Sequence, residues 1–154
     1  MSKSKTRVIA ALEDAGLPVD VRDVGEARTA LEAATSLGVE MDQIAKSIIF
    51  RTMDDRAVLF LTAGGRRVDP DRAEALAGCA LGKADAAFTR ARTGFAIGGV
   101  APLGHLTKMD CWLDRRLLDF AEVYGAAGTP RHVFPIKPAD LLMVSGAEVA
   151  DFAS

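Results

Sequence analysis

With 154 residues, 49% of them hydrophobic and 26% charged, the chain has the size of one compact domain with a substantial core, and its composition excludes a disordered or low-complexity protein. No apolar run approaches the roughly 18 residues of a membrane span. The formal charge of −2 argues against a protein that coats long duplex DNA, while leaving room for a basic patch around a short nucleic-acid end.

The charged start, Met1 to Arg7, leads into an apolar stretch that is cut at Glu13-Asp14, too early for a secretory signal core. The expectation is a cytoplasmic protein that opens on a helix over 6–15. Val8, Ile9, Leu12 and Ala15 keep helical spacing there, and Gly16 stops it. Residues 17–21 alternate like a strand. Thr29 with Glu32 three residues on is a capping-box pattern for a second helix ending at Gly38. Residues 43–52 read as a buried strand, Asp54-Asp55 as a turn and 57–62 as the returning strand of a hairpin. Asp69-Pro70 opens a helix that closes at Gly78. A short strand over 80–84 and a helix over 85–93 follow. Next comes a glycine-rich loop, 94–104, that no regular element absorbs. Further strands are expected at 109–113, 122–124, 132–137 and 147–152, with a last helix starting at Pro138. Interleaved strands and helices without a regular βαβ repeat predict a single α/β (α+β) domain over 1–154, a mixed sheet with helices packed around it.

Three features can carry chemistry. Lys46 lies inside the apolar segment Ile44-Ala-Lys-Ser-Ile-Ile-Phe50, where alternation puts Ile44, Ile48 and Phe50 on its face. An amine there is costly unless it reaches water, a carboxylate or a ligand phosphate; the plainer reading is a lysine snorkelling at a sheet edge. In the glycine loop, Gly98 and Gly99 permit positive φ, and exposed N–H groups suit a phosphate, a ribose hydroxyl or a developing oxyanion. A purely structural loop accounts for it equally well, and its spacing is not that of a dinucleotide fingerprint. His105 and His132 belong to the side-chain type whose unperturbed pKa lies nearest neutrality, so either is a candidate acid, base or structural donor. Cys79 and Cys111 sit far apart among apolar neighbours, as buried hydrophobes rather than a disulfide. Cys111 as a nucleophile is a weaker option, and the donor spacing gives no metal site. Asp54-Asp55 and Arg66-Arg67 read as solvated turns, although the arginines also suit RNA phosphates.

Several blocks together resemble the YbaK-like proteins and the editing (insertion) domain of bacterial prolyl-tRNA synthetase. They are Thr29-Ala-Leu-Glu-Ala-Ala34, Ile44 to Phe50, Leu61-Thr-Ala-Gly-Gly-Arg-Arg-Val68, Gly94-Phe-Ala-Ile-Gly-Gly-Val-Ala-Pro-Leu-Gly-His105 and Gly125-Ala-Ala-Gly-Thr-Pro-Arg-His132, continuing to Asp140-Leu-Leu142. The resemblance covers nearly the whole chain. It implies a mixed sheet partly closed into a barrel, and a freestanding deacylase that hydrolyses mischarged aminoacyl-tRNA in trans. The expected substrate is tRNA(Pro) carrying a small residue such as alanine; the alternatives are cysteine as the residue removed, or a module that binds a tRNA end or nucleotide without hydrolysis. Lys46 stands at the family's essential lysine, which holds the terminal nucleotide. Gly98 to Pro102 matches a Gly-x-x-x-Pro loop that positions carbonyl and ribose, so that Lys46, Gly98 and Gly99 are the expected catalytic positions. Ser47, Pro102, Gly104 and His132 are the expected substrate-binding ones, His132 standing at a pocket histidine of the synthetase-linked members. The implied partners are the acceptor end of mischarged tRNA and prolyl-tRNA synthetase, with no DNA, membrane, cofactor or metal. An activated ester hydrolysed with help from the adenosine's own ribose hydroxyl needs no strong protein base, in keeping with the lack of a recognisable triad. Arg51, Arg66, Arg67 and Lys83 are candidates for a basic face.

Overall fold

The computed structural model describes residues 3–154. Its first helix, α1 (Lys3–Asp14), buries Val8 and Leu12, one turn apart on a single face. Gly16 follows at φ 72°. Residues 17–21, expected as a strand, form none; the strand here is β1 (Arg22–Asp23). Leu17 and Val21 do pack against the core. Their alternation therefore reflects side-chain burial rather than ladder pairing, and Pro18 has no N–H to contribute.

The capped helices form where the polar punctuation puts them. In α2 (Ala30–Leu37), Thr29 Oγ1 accepts the Glu32 N–H at 3.1 Å. The Glu32 carboxylate accepts from Arg28 N–H at 2.6 Å, one residue before the position a standard capping box uses. Asp69 caps α3 (Pro70–Ala77) and Asp85 caps α4 (Ala86–Thr93). Pro138 opens α5 (Pro138–Ser145).

The central hairpin pairs β2 (Ile44–Thr52) with β3 (Ala57–Ala63), Lys46 opposite Thr62 and Ile48 opposite Phe60. The remaining strands are β4 (Leu81–Lys83), β5 (Asp110–Asp114), β6 (Val123–Ala126), β7 (His132–Ile136) and β8 (Glu148–Ala150). They join in the order β1-β7-β6-β2-β3-β5-β8, with β4 also on β2. β2–β6, β3–β5 and β5–β8 are parallel. The sheet is mixed, as expected, but it stays open: β1 and β8 end it unpaired with each other, so barrel closure goes no further than that. β3 is buried along its whole length, as a strand covered on both faces must be. One face carries the main core, where Ala45 and Ile49 of β2 meet Leu59, Leu61, Phe95 and Leu113. On the other face Ile48 and Phe50 meet Phe60, Trp112 and Phe152, and Phe60 stacks on Trp112 with centroids 5.0 Å apart. Among the described residues no helix is long and apolar enough to cross a membrane.

Candidate active site

β2 is the strand that creates the site. Along one edge it pairs with β6 only at Ile44 and Ala45, and with β4 only from Phe50 to Thr52. From Lys46 to Ile49 that edge has no strand beside it, and here a cavity of about 680 Å³ opens. Lys46, Ser47 and Ile48 form one wall; Arg28 to Leu31, Gly64 to Arg67, Ile97, Gly98, Val100, Thr129 and His132 are among the residues that complete it. The charged side chains on its lining are Arg28, Lys46, Arg66 and Arg67, all cations, with no carboxylate among them. A chain of net charge −2 thus concentrates positive charge at this cavity, the arrangement that attracts an anionic ligand. Exposed Leu31, Met41 and Ile97 give the same cavity an apolar rim.

The Lys46 ammonium is part-buried at the cavity wall. Its Nζ donates to the Arg66 carbonyl oxygen at 2.7 Å, one of the three donors an ammonium carries. Burial lowers its pKa from the ordinary lysine value, Arg67 adds to the effect, and Asp42 and Asp114 oppose it. The Arg66 carbonyl is itself held in place. Asp114, 2% exposed, accepts from Arg66 Nε at 3.1 Å and from the N–H groups of Ala63 and Arg116, while Arg66 Nη2 donates to the Ala153 carbonyl. Arg67 exchanges both backbone hydrogen bonds with Ser154. Asp42 joins the frame through Gly65 N–H at 2.7 Å and Arg116 Nε at 2.9 Å. Desolvation raises the Asp42 pKa, but these two donors outweigh it and the net shift is downward. Gly64 lets the frame close, since a Cβ there would meet the Met41 carbonyl and, at 2.9 Å, Ala30 Cβ. Sequence reading missed Asp42 and Asp114. The signal for Asp114 was a carboxylate at the end of the apolar run Cys111-Trp-Leu-Asp114.

The opposite wall is made from two loops in contact. Gly98, at φ 88°, lines the cavity, whereas Gly99 is buried behind it. An added Cβ on Gly99 would lie 2.8 Å from Thr129 Cα, so the glycine loop rests directly on the Thr129 backbone. Gly128 in turn lies against α1, where a Cβ would come within 2.6 Å of the Ser4 carbonyl. His132, at the start of β7, is joined to Thr129 by an Nδ1–Oγ1 contact of 2.7 Å, and its Nε2 lies 3.9 Å from Asp23 Oδ2. Ser47 Oγ is buried without a hydrogen-bond partner.

Other expected positions lie elsewhere. Pro102 is buried against Gly125 of β6, and Gly104, at φ 79°, faces Arg7 and Ala11 of α1; neither lines the cavity. His105 Nε2 is 2.6 Å from the Ala101 carbonyl and therefore donates to it. Burial lowers its pKa against that bond, so it is a neutral structural histidine. Arg51 pairs with Asp55 and, with Arg92, covers the Phe88 ring. Arg51 and Lys83 are both away from the cavity; only Arg66 and Arg67 of the expected basic face reach it. Among the described residues no three His, Cys, Asp or Glu side chains gather into a metal-holding group. The Cys111 thiol is pushed up to about 12 by burial, against a hydrogen bond from Ser145, and so carries almost no thiolate at neutral pH. Native protein treated with iodoacetamide near pH 8 is expected to take up label at the partly exposed Cys79 and none at Cys111, as read by peptide mass mapping. Label at Cys111 with loss of activity would restore it as a nucleophile.

Fold and cavity define a small α/β domain with a cation-lined cavity in the gap of a mixed sheet. Residues 24–144 match the family model of the aminoacyl-tRNA editing domain, and the chain belongs to that family, in its YbaK-like branch. A crystal structure described as "a putative trans-editing enzyme for prolyl tRNA synthetase" is 43% identical, with a TM-score of 0.94 over 100% of this chain and 99% of that one. The crystal structure of hypothetical protein APE2540 is 28% identical, with a TM-score of 0.88 over 96% of this chain and 99% of that one. The uncharacterized protein YwhH of Bacillus subtilis (strain 168) is 30% identical over 121 residues, 79% of this chain and 77% of YwhH.

Proposed function

We propose that this chain is an aminoacyl-tRNA deacylase that acts in trans on tRNA(Pro) carrying a small non-cognate residue, alanine first among them. The observation that carries the reading is the cavity itself: four cations and a histidine around an apolar pocket of about 680 Å³. That size lies within the range of about 300–1,000 Å³ for small-molecule sites. It suits a terminal nucleoside with its amino acid rather than a length of acceptor stem. The 43% identical structural neighbour, described in connection with prolyl-tRNA synthetase, supports tRNA(Pro) as the carrier and the synthetase as a partner.

In this reading Lys46 holds the phosphate or ribose of the terminal adenosine with the donors that Arg66 leaves free. The backbone of Gly98 faces the ester carbonyl, where an oriented N–H group stabilises the oxyanion; Gly99, whose N–H is given to the Ala96 carbonyl at 3.0 Å, supports that loop from behind. Water attacks the carbonyl carbon, the ester C–O bond breaks, and the proton given up by that water passes to the ribose oxygen, which leaves as a hydroxyl while the amino acid leaves with a free carboxyl group. An ester is activated enough for positioning and oxyanion stabilisation to suffice. Ser47 and His132 border the amino acid, and the larger correct residue is refused by size, as in a double sieve.

A panel of Ala-, Cys-, Ser- and Pro-tRNA(Pro) tests this. Release of alanine is expected to be fastest, with Pro-tRNA(Pro) spared. Faster release of cysteine would move the substrate to cysteine. Inactivity across the panel with retained tRNA binding would leave a binding module.

A further inference from the structure

We infer that Thr129 is a positioning residue that fixes the tautomer of His132, so that the cavity wall presents an Nε2–H donor. The inference rests on the deacylase reading for its catalytic consequence, but not for its structural content. The Thr129 hydroxyl has one hydrogen to give and two lone pairs. One lone pair is taken by Arg131 N–H at 3.2 Å, a group that can only donate. His132 Nδ1 is the other neighbour, at 2.7 Å. If Nδ1 carried the ring proton, the hydroxyl would accept twice, from the ring and from Arg131 N–H, and its own hydrogen would be left to solvent in the cavity that Thr129 lines. If the hydroxyl donates to Nδ1, each group is used once, and the neutral ring must carry its proton on Nε2. That nitrogen lies 3.9 Å from Asp23 Oδ2, near enough for the carboxylate charge to favour a proton there and too far for a hydrogen bond that would occupy it, so the proton is left for a ligand in the cavity that His132 lines.

The backbone holds the arrangement rigid. His132 N–H donates to the Thr129 carbonyl, the Gly99 backbone rests on the Thr129 Cα, and Gly128 lies against Ser4. Asp23 is tied by Gly25 N–H at 2.8 Å and by Arg131 Nε at 3.0 Å. A histidine held in this way offers substrate a donor of fixed direction and no acceptor. A carbonyl or hydroxyl of the aminoacyl end is then favoured at that point, and a substrate N–H is not.

The chain has only two histidines, so long-range 1H–15N correlation spectra at alkaline pH resolve both rings, and His132→Ala assigns them. The expected wild-type spectrum has His132 protonated at Nε2. Thr129→Val should give a mixed or Nδ1-protonated ring, and Thr129→Ser should restore the wild-type pattern. In deacylation, T129V should lower kcat/KM by about tenfold, the scale of one lost hydrogen bond; T129S should recover most of it, and T129V should add nothing in the H132A background. A wild-type ring protonated at Nδ1, or a T129V ring unchanged from wild type, overturns the proposal. So does an equal loss from T129V with and without His132. The expected spectra in a protein inactive on every mischarged tRNA would support the positioning role and count against the deacylase reading alone.

Discussion

Lys46→Ala is expected to lower the deacylation rate on the order of a hundredfold, the equivalent of roughly 2–4 kcal/mol of lost charge-assisted contact, with little change in thermal midpoint. The two halves of that expectation come from different parts of the structure. Nζ makes one hydrogen bond, to the Arg66 carbonyl, and forms no ion pair among the described residues. Burial and Arg67 both disfavour its charge. Removing it relieves that cost and leaves a part-buried carbonyl open to water, for a net effect of about 1 kcal/mol or less. Arg66 itself keeps Asp114 and the Ala153 carbonyl, so the loop does not depend on the lysine. Arginine at position 46 should rescue poorly, because its planar fork does not reproduce a compact ammonium. Rate constants and melting curves on the same preparations check both halves; a folded Lys46→Ala protein with near wild-type turnover would remove the residue on which the proposed mechanism turns.

Gly99→Ala should damage fold and activity together, and far more than Gly98→Ala. The two glycines are adjacent but constrained differently. A methyl on Gly98 would come to rest 3.6 Å from Pro130, an ordinary contact, so its cost is that of a left-handed backbone at φ 88°, about 1–2 kcal/mol. A methyl on Gly99 would lie 2.8 Å from Thr129 Cα and 2.9 Å from its carbonyl carbon. Backbone atoms cannot rotate aside as a flexible side chain can. Either the glycine loop withdraws from the cavity or Thr129 moves and takes His132 with it. Overpacking of this kind costs about 1–3 kcal/mol, or several degrees of thermal midpoint in a chain of this length. Deacylation should fall further than Gly98→Ala lowers it. Equal activity in the two variants would mean that the seat on Thr129 does not set the geometry of the loop.

What the sequence made legible was local. Polar caps and glycine stops located α2 and α3, because each cap bonds within its own first turn. Two-residue alternation put Lys46 on the face of Ile44, Ile48 and Phe50, and Lys46, Ser47, Gly98 and His132 do border one cavity. Long-range partnerships were not legible. Asp114 is bound to Arg66, Asp42 to Arg116, and Gly99 to Thr129, pairs set by how strands are ordered in the sheet rather than by spacing along the chain. Pro102 and Gly104 belong to the same motif as Gly98, yet they serve packing on β6 and α1. Membership of a motif does not by itself bring a residue to the cavity. Residues 17–21 mark the converse failure, an alternation that is real in burial and absent in hydrogen bonding.

The order of strands also fixes when the cavity comes into being. The β2–β3 hairpin closes locally, but Ile44 pairs with Tyr124 and Arg22 with Val133, each across more than half of the chain. Sheets dominated by such pairings fold slowly, on the millisecond-to-second scale, because large loops must close before the contacts reward it. On the ribosome, the lysine wall made by β2 is synthesised long before the histidine wall made by β7. Both walls of the cavity are present only once β7 has joined β1 and β6.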